Sequence, residues 1–142
     1  MEDVNPEVSD YTLVVGIPTI ETYRRLRNVS GLSGKTVEAA ERGLPNTIHA
    51  VTLVCDGEAV GMGRVIGDGG CFYQITDIAV HPRHQGKGLG KKIMQALMEY
   101  LRATAPETAY VSLIADGPAK HLYEKFGFKP TAPASIGMAL EL

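Results

Sequence analysis

Residues 75–92 read Ile-Thr-Asp-Ile-Ala-Val-His-Pro-Arg-His-Gln-Gly-Lys-Gly-Leu-Gly-Lys-Lys, and the rest of the chain arranges itself around this passage. The β-branched run up to Val80 predicts a strand, and His81-Pro82 stops it, because a residue before proline is pushed out of regular continuation. A basic loop with glycine at every second position follows, and then a strong helix begins. Free amides at a helix N-terminus carry partial positive charge. Gly86, Gly88 and Gly90 have no side chains to obstruct an approaching anion. Arg83, Lys87, Lys91 and Lys92 add charge around the same point. The physics is that of a phosphate or pyrophosphate cradle.

The spacing rejects two common phosphate binders. A mononucleotide loop needs G-x-x-x-x-G-K-[ST], and Lys91 is followed by Lys92. A dinucleotide fingerprint needs G-x-G-x-x-G after a βαβ opening, and here the pattern is G-x-G-x-G. A plain turn with a solvated basic face is the bland alternative. It does not explain three glycines in and beside the first turn, where each costs up to about 1 kcal/mol relative to alanine.

Outward from the loop, period and punctuation give the other elements. Leu89, Ile93, Leu97 and Leu101 form an i, i+4 stripe, with Ala96 and Tyr100 beside it, on a helix from about Gly88 to Thr104. Upstream, Thr47–Cys55 and Glu58–Ile66 are strands joined by the hairpin signal Asp56-Gly57. Gly67-Asp68-Gly69-Gly70 turns into a third strand over Cys71–Val80. Near the start, Tyr11–Ile17 is a strand, and Thr19 caps a helix carrying Ile20, Tyr23, Leu26 and Arg27. A short helix over Thr36–Arg42 closes at Gly43 and Pro45. Downstream, Ala109–Ala115 is a strand, and Asp116-Gly117-Pro118 opens a helix that ends at Gly127. Phe128-Lys129 and Ile136–Leu142 supply one or two last strands.

The 142 residues, 44% hydrophobic and 21% charged, fit one ordinary globular domain. Residues 1–9 read as a loose tail and 10–142 as the domain. A net charge of −2 argues against nucleic acid as a partner. No run approaches the roughly 20 apolar residues of a membrane span, so no membrane partner is expected. Cys55 and Cys71 lack metal-ligand or CxxC spacing, so no metal is expected. With no secretory signal at the start, the two thiols point to a reducing, cytoplasmic compartment.

Gln85-Gly86-Lys87-Gly88-Leu89-Gly90 resembles the Q/R-x-x-G-x-G/A signature of the GNAT superfamily of acyl-CoA-dependent N-acyltransferases. Ile78-Ala79-Val80-His81-Pro82 looks like that family's fourth strand and its exit. Ala119–Phe128 is similar to its A-x-x-L-Y-E-K-x-G-F segment. The resemblance implies an α/β fold of the mixed (α+β) kind. Its sheet would be mostly antiparallel, with six or seven strands, helices on both faces, and fourth and fifth strands splayed around a cleft. It implies acetyl-CoA as cosubstrate, with the pyrophosphate on the amides of Gln85, Gly86, Lys87, Gly88, Leu89 and Gly90, reaching Lys91. The pantetheine arm would bond main-chain groups of Ile78 and Val80, and an amide near Ile78 or Ala79 would face the oxyanion of the tetrahedral intermediate. Tyr123 matches the tyrosine that protonates the departing thiolate. Asp116 stands where many members have asparagine, and an ionised aspartate can only accept; helix capping is its other reading.

The general base and the acceptor are less determined. By alternation Gln74, Thr76 and Ile78 share one face of the strand and Asp77 the other, unless a bulge re-aims it. Gln74 sits where some members carry an acid or histidine, and glutamine is no base. The expectation is proton loss through water, with Asp77 as helper. Tyr23, Arg24, Arg27 and Arg64, with Gln74 and Thr76, are the acceptor-site candidates. Arginine would suit a substrate carboxylate; the competing reading makes Arg24 and Arg27 a solvated face and pairs Arg64 with Asp68 or Asp77. Both cysteines read as small hydrophobes, not nucleophiles. The expected activity is acetyl transfer to a primary amine of a small molecule or amino acid. The alternatives are a catalytically weak acyl-CoA-binding regulatory module, or a protein amine as acceptor. A homodimer is an assembly common in the family.

Overall fold

A computed structural model of the chain describes residue 7 and residues 10–142. Apart from residue 7, the tail expected over residues 1–9 lies outside the described residues. The elements run β1 (Tyr11–Val15), α1 (Ile20–Val29), α2 (Val37–Gly43), β2 (His49–Cys55), β3 (Glu58–Gly67), β4 (Phe72–Val80), α3 (Leu89–Thr104), β5 (Tyr110–Ser112) and α4 (Lys120–Glu124). The first two helix starts have a local cause. Thr19 accepts from the Thr22 amide and Thr36 from the Ala39 amide, the side-chain caps that satisfy orphan donors. The β2–β3 turn needs positive φ at both central residues, and Asp56 and Gly57 take φ of 50° and 75°. In the β3–β4 turn, the Asp68 carboxylate accepts from the amides of Gly70, Cys71 and Phe72.

The strands form one sheet in the order β1-β2-β3-β4-β5. The first three pairings are antiparallel, and β4–β5 is parallel, a pairing that needs a crossover connection, which α3 supplies. α3 covers one face. Its stripe Leu89, Ile93, Leu97 and Leu101, joined by Met94, is buried against Val51, Leu53, Val65, Tyr73 and Ile75. Deleting one such side chain to alanine would cost about 2–5 kcal/mol. α1 and α2 cover the other face, where Tyr23, Leu26, Ala40 and Leu44 pack on Met62 and Ala79. The expectation of helices on both faces therefore stands.

The strand count is corrected. Among the described residues there are five strands, not six or seven. β5 is confined to Tyr110–Ser112, and neither Phe128-Lys129 nor Ile136–Leu142 enters a ladder. The alternating apolar pattern of 136–142 suits a half-buried strand, but among the described residues it pairs with no strand. No helix of the described residues is long and apolar enough to cross a membrane.

Candidate active site

Glycine at the loop between β4 and α3 has a conformational cause. Gly86 and Gly88 adopt φ of 79° and 75°, a left-handed conformation that disfavours side chains. A Cβ on either would meet nothing within 4 Å, so open space stands over both. Gly88 is the N-cap of α3 and contributes no capping side chain, and the Lys92 amide reaches back to its carbonyl at 3.1 Å. The amides of Leu89, Gly90 and Lys91 precede that first intrahelical bond, so the helix provides them no acceptor. Gly90 serves packing instead: a Cβ there would stand 3.3 Å from Leu122 Cδ2, where α4 crosses α3.

The approach to this loop is held in place from below. The Gln85 side-chain amide donates to the Val80 carbonyl at 2.9 Å. Tyr11 Oη and His84 Nδ1 are 2.6 Å apart. Burial first, and the neighbouring His81 second, push the His84 imidazole below its ordinary range. The His81 amide donates to Val60 on β3, so alternation turns the main-chain groups of Val80 and Ile78 away from β3, toward the β5 side. β5 has already left: its pairing ends at Gln74↔Ser112. A free strand edge therefore runs along the cleft from Ile75 to the glycine loop, with the Val80 carbonyl taken by Gln85.

The cleft itself is made by a bulge. Met62 pairs with Ala79 and Arg64 with Thr76, so Gly63 faces two residues, Asp77 and Ile78. Asp77 absorbs the extra residue at φ 59°, a conformation aspartate tolerates better than most side chains. The Ile78 side chain then crosses over Gly63, whose hypothetical Cβ would stand 2.7 Å from Ile78 Cδ1 and 2.6 Å from Ile93 Cγ2. Simple alternation is thereby overturned. Ile78 and Val80 pack on the α3 side with Tyr73 and Ile75, and Ala79 packs on the α1 side. Asp77 is brought to the face of Gln74 and Thr76, and Ile78 leaves it.

On that face Asp77 sits at the centre of a buried cluster. Arg27 Nη1 is bonded to one carboxylate oxygen, Arg64 Nε donates to the other at 2.8 Å, and Tyr23 Oη lies 3.1 Å from both. Arg27 also donates to the Ser33 carbonyl and hydroxyl, and Arg64 to Thr47 Oγ1. Burial, with the Asp77 carboxylate next, raises the Tyr23 phenol above its ordinary value. Arg27 is therefore not part of a solvated helix face, and Arg64 pairs with Asp77 rather than Asp68. Arg24 does lie outside, its Nε on the Lys35 carbonyl.

Arg27, Gln74, Thr76, Asp77, Ile78, Asp116 and Tyr123 line one cleft of about 290 Å³, together with Leu32, Leu113 and Ile114. Tyr123 projects from α4, and its phenol is raised, by burial foremost and by the Asp116 carboxylate second. It is thus held protonated, able to donate. Asp116 makes no side-chain cap bond at the 3-10 turn that follows it. Tyr23 and Arg64 stand behind the cleft wall. Sequence reasoning missed Leu32, Ser33 and Thr47; a loop leucine and two ordinary hydroxyls carry no distinguishing pattern.

The family model for the acetyltransferase (GNAT) domain matches residues 47–130, the stretch from β2 past α4. A probable acetyltransferase from meticillin-resistant Staphylococcus aureus superposes with a TM-score of 0.89 at 51% identity, covering 93% of this chain and 99% of that one. An uncharacterized N-acetyltransferase, ycf52, of Pyropia yezoensis is 34% identical over 89 residues, 60% of this chain and 50% of that protein. The chain thus spans about half the length of that curated relative. Glucosamine-6-phosphate N-acetyltransferase of Arabidopsis thaliana shares the fold at 22% identity, with a TM-score of 0.65 over 92% of this chain and 98% of that one. With more than half its length matched, and with the loop, bulge and cleft in the order described, the chain belongs to the GNAT acetyltransferase family.

Proposed function

We propose that residues 10–142 act as one catalytic domain that moves the acetyl group of acetyl-CoA to the primary amine of a small molecule by direct transfer. The observation that carries the reading is the continuous path from the free β4 edge to the uncapped α3 N-terminus at Gly88. A diphosphate fits where left-handed glycines leave open space before helix amides, and the amides from Gln85 to Lys91 are assigned to it. An extended amide-bearing arm fits the edge at Ile78 and Val80, where the Val80 amide remains available. The bound thioester supplies the activated acyl carbon. The Ile78 amide at the bulge is assigned to the developing oxyanion, since the Ala79 amide faces β3 with that of His81.

Tyr123 is the proton donor to the leaving thiolate. Its raised phenol keeps the proton through neutral pH. Asp116 stands across the same cleft, where its negative charge favours a cationic amine. The amine must lose a proton before attack. Gln74 cannot take it, and Asp77 has both oxygens engaged by three side chains, so water carries it out. Gln74 and Thr76 are the polar groups that meet the acceptor. Tyr23, Arg27 and Arg64 hold the wall rather than the substrate. With two free cysteines, one of them exposed, a cytoplasmic setting fits this chemistry. The test is release of coenzyme A thiol across a panel of amines and amino acids. Turnover that falls at least tenfold in Tyr123→Phe is expected. Acetyl-CoA binding without turnover on any amine would replace the enzyme with a regulatory acyl-CoA binder.

A further inference from the structure

We propose that the Tyr11–His84 pair is the strut that positions the diphosphate loop, and that protonation of His84 releases the loop and lowers the domain's affinity for coenzyme A. The role presupposes the acyl-CoA reading of that loop and adds a proton-linked control to it. Tyr11 holds both ends of the cradle with two different groups. Its Oη lies 2.6 Å from Nδ1 of His84, the residue before Gln85, and its carbonyl oxygen takes Nζ of Lys92, the residue after Lys91, at 3.5 Å. Between those points stand Gly86 and Gly88, at φ of 79° and 75° with open space over both. Glycine backbone has the most freedom to lose, so the groups that fix the ends of this loop also aim its amides.

The platform under the strut is rigid. Tyr11 is 4% exposed, belongs to the core beneath α3 and pairs with Cys55 of β2. The backbone of His84 is tied down as well: its amide donates to the His81 carbonyl at 2.8 Å, and the Gln85 amide to the Pro82 carbonyl at 3.4 Å. A buried phenol hydrogen needs an acceptor, and among the described residues Tyr11 Oη bonds to His84 alone. Tyr11 therefore donates, and Nδ1 is the bare nitrogen of a neutral imidazole.

A proton on Nδ1 removes that acceptor. Two donors then face each other, and the phenol hydrogen is left in the core without a partner, a costly state that the pair escapes by parting. The loop parts with it. Around the imidazole, burial, His81 with its ring 5.8 Å away, Lys87 and Arg83 all oppose the cation, and Glu58 favours it. Asp10, Cys55 and Asp56 lie about the phenol, and Lys92 sits on the Tyr11 carbonyl. The neutral ring is thus the form that holds the loop, and affinity is lost as pH falls below the ordinary histidine value of about 6.5.

The test is isothermal titration calorimetry of the full chain with coenzyme A from pH 8 to pH 5. In His84→Asn the amide oxygen stands where Nδ1 stood and gains no proton, so the strut persists at every pH. The ligand's own phosphate titrates near pH 6, and the ratio of parent to His84→Asn affinity cancels that effect. The ratio should fall by about tenfold between pH 8 and pH 5. Tyr11→Phe and His84→Ala should bind about three- to tenfold more weakly than the parent at pH 8, with His84→Asn recovering most of the loss. His81→Asn, which keeps an acceptor for the Arg83 amide, should retain the parent's fall with pH. A ratio that stays level, or that rises because the imidazolium meets the diphosphate directly, overturns the proposal and leaves the coenzyme site standing. So does a fall that disappears in His81→Asn, or a Tyr11→Phe protein that binds as the parent does. A parent that binds no coenzyme A at pH 8 overturns both the proposal and the acyl-CoA reading. Should Tyr11→Phe fail to fold, the His84→Asn ratio decides.

Discussion

Replacing Asp77 by asparagine keeps the shape of the side chain and removes its charge. In the parent, the carboxylate accepts from Arg27, from Arg64 at 2.8 Å and from Tyr23 at 3.1 Å, and the side chains of both arginines and Asp77 are 9%, 9% and 3% exposed. Asparagine retains one acceptor oxygen and turns a donor toward the other guanidinium. Both arginines are then left charged, buried and without a counter-ion, a change that costs about 3–5 kcal/mol or more. Against a total stability of about 5–15 kcal/mol this is a large fraction. For a domain of this size it lowers Tm by about 10–15 °C. The assay is a thermal melt of Asp77→Asn beside the triple variant Asp77→Asn/Arg27→Met/Arg64→Met. Removing all three charges together avoids the orphaned cations, so the triple variant should melt closer to the parent than the single one does. An Asp77→Asn protein that melts within about 3 °C of the parent would refute the buried cluster as a source of stability.

Gly63→Ala should cost about 1–3 kcal/mol by overpacking, because its Cβ would meet Ile78 and Ile93 at under 3 Å; adding Ile78→Val, which removes the clashing Cδ1, should recover part of the loss in urea melts. In pH–rate profiles the alkaline limb assigned to Tyr123 should lie above the ordinary tyrosine range of about 10, because the folded phenol is raised, and Tyr123→Phe should abolish that limb. His84 is depressed in the fold. The unfolded chain therefore takes up its proton first, and stability contributed by neutral His84 is lost as pH falls below about 6.5. Urea midpoints measured from pH 8 to 5 should fall, and less so in His84→Asn.

Much of the fold was legible because local chemistry and hydrophobic period agreed. Thr19 and Thr36 cap helices where the sequence puts them, Asp56-Gly57 turns the hairpin, and the α3 stripe is buried as its spacing requires. The glycine loop was legible because alternating glycines before a strong helix have few structural uses. The cluster around Asp77 was not. Period-two alternation holds only while each residue faces one partner, and a bulge is a property of two strands. Gly63 was its one local trace, since a glycine in a strand interior marks a close approach. The burial of Arg27 was hidden for a related reason: an arginine on an amphipathic helix reads as solvated unless its counter-ion, 50 positions away in sequence, is known. Residues 136–142 show the reverse case, a strand pattern without a ladder among the described residues.

The parity of β4 carries a consequence for how the strand is built. Skip Asp77 and the strand reads Tyr73, Ile75, Ile78 and Val80 on the α3 side and Gln74, Thr76 and Ala79 on the other, unbroken from end to end. The sheet's apolar bookkeeping is complete without this residue. Asp77 is supernumerary to the pleat, and what it adds is the counter-ion for two arginines and the local kink. A single-residue deletion there would be silent in the hydrophobic pattern and would still leave both cations stranded.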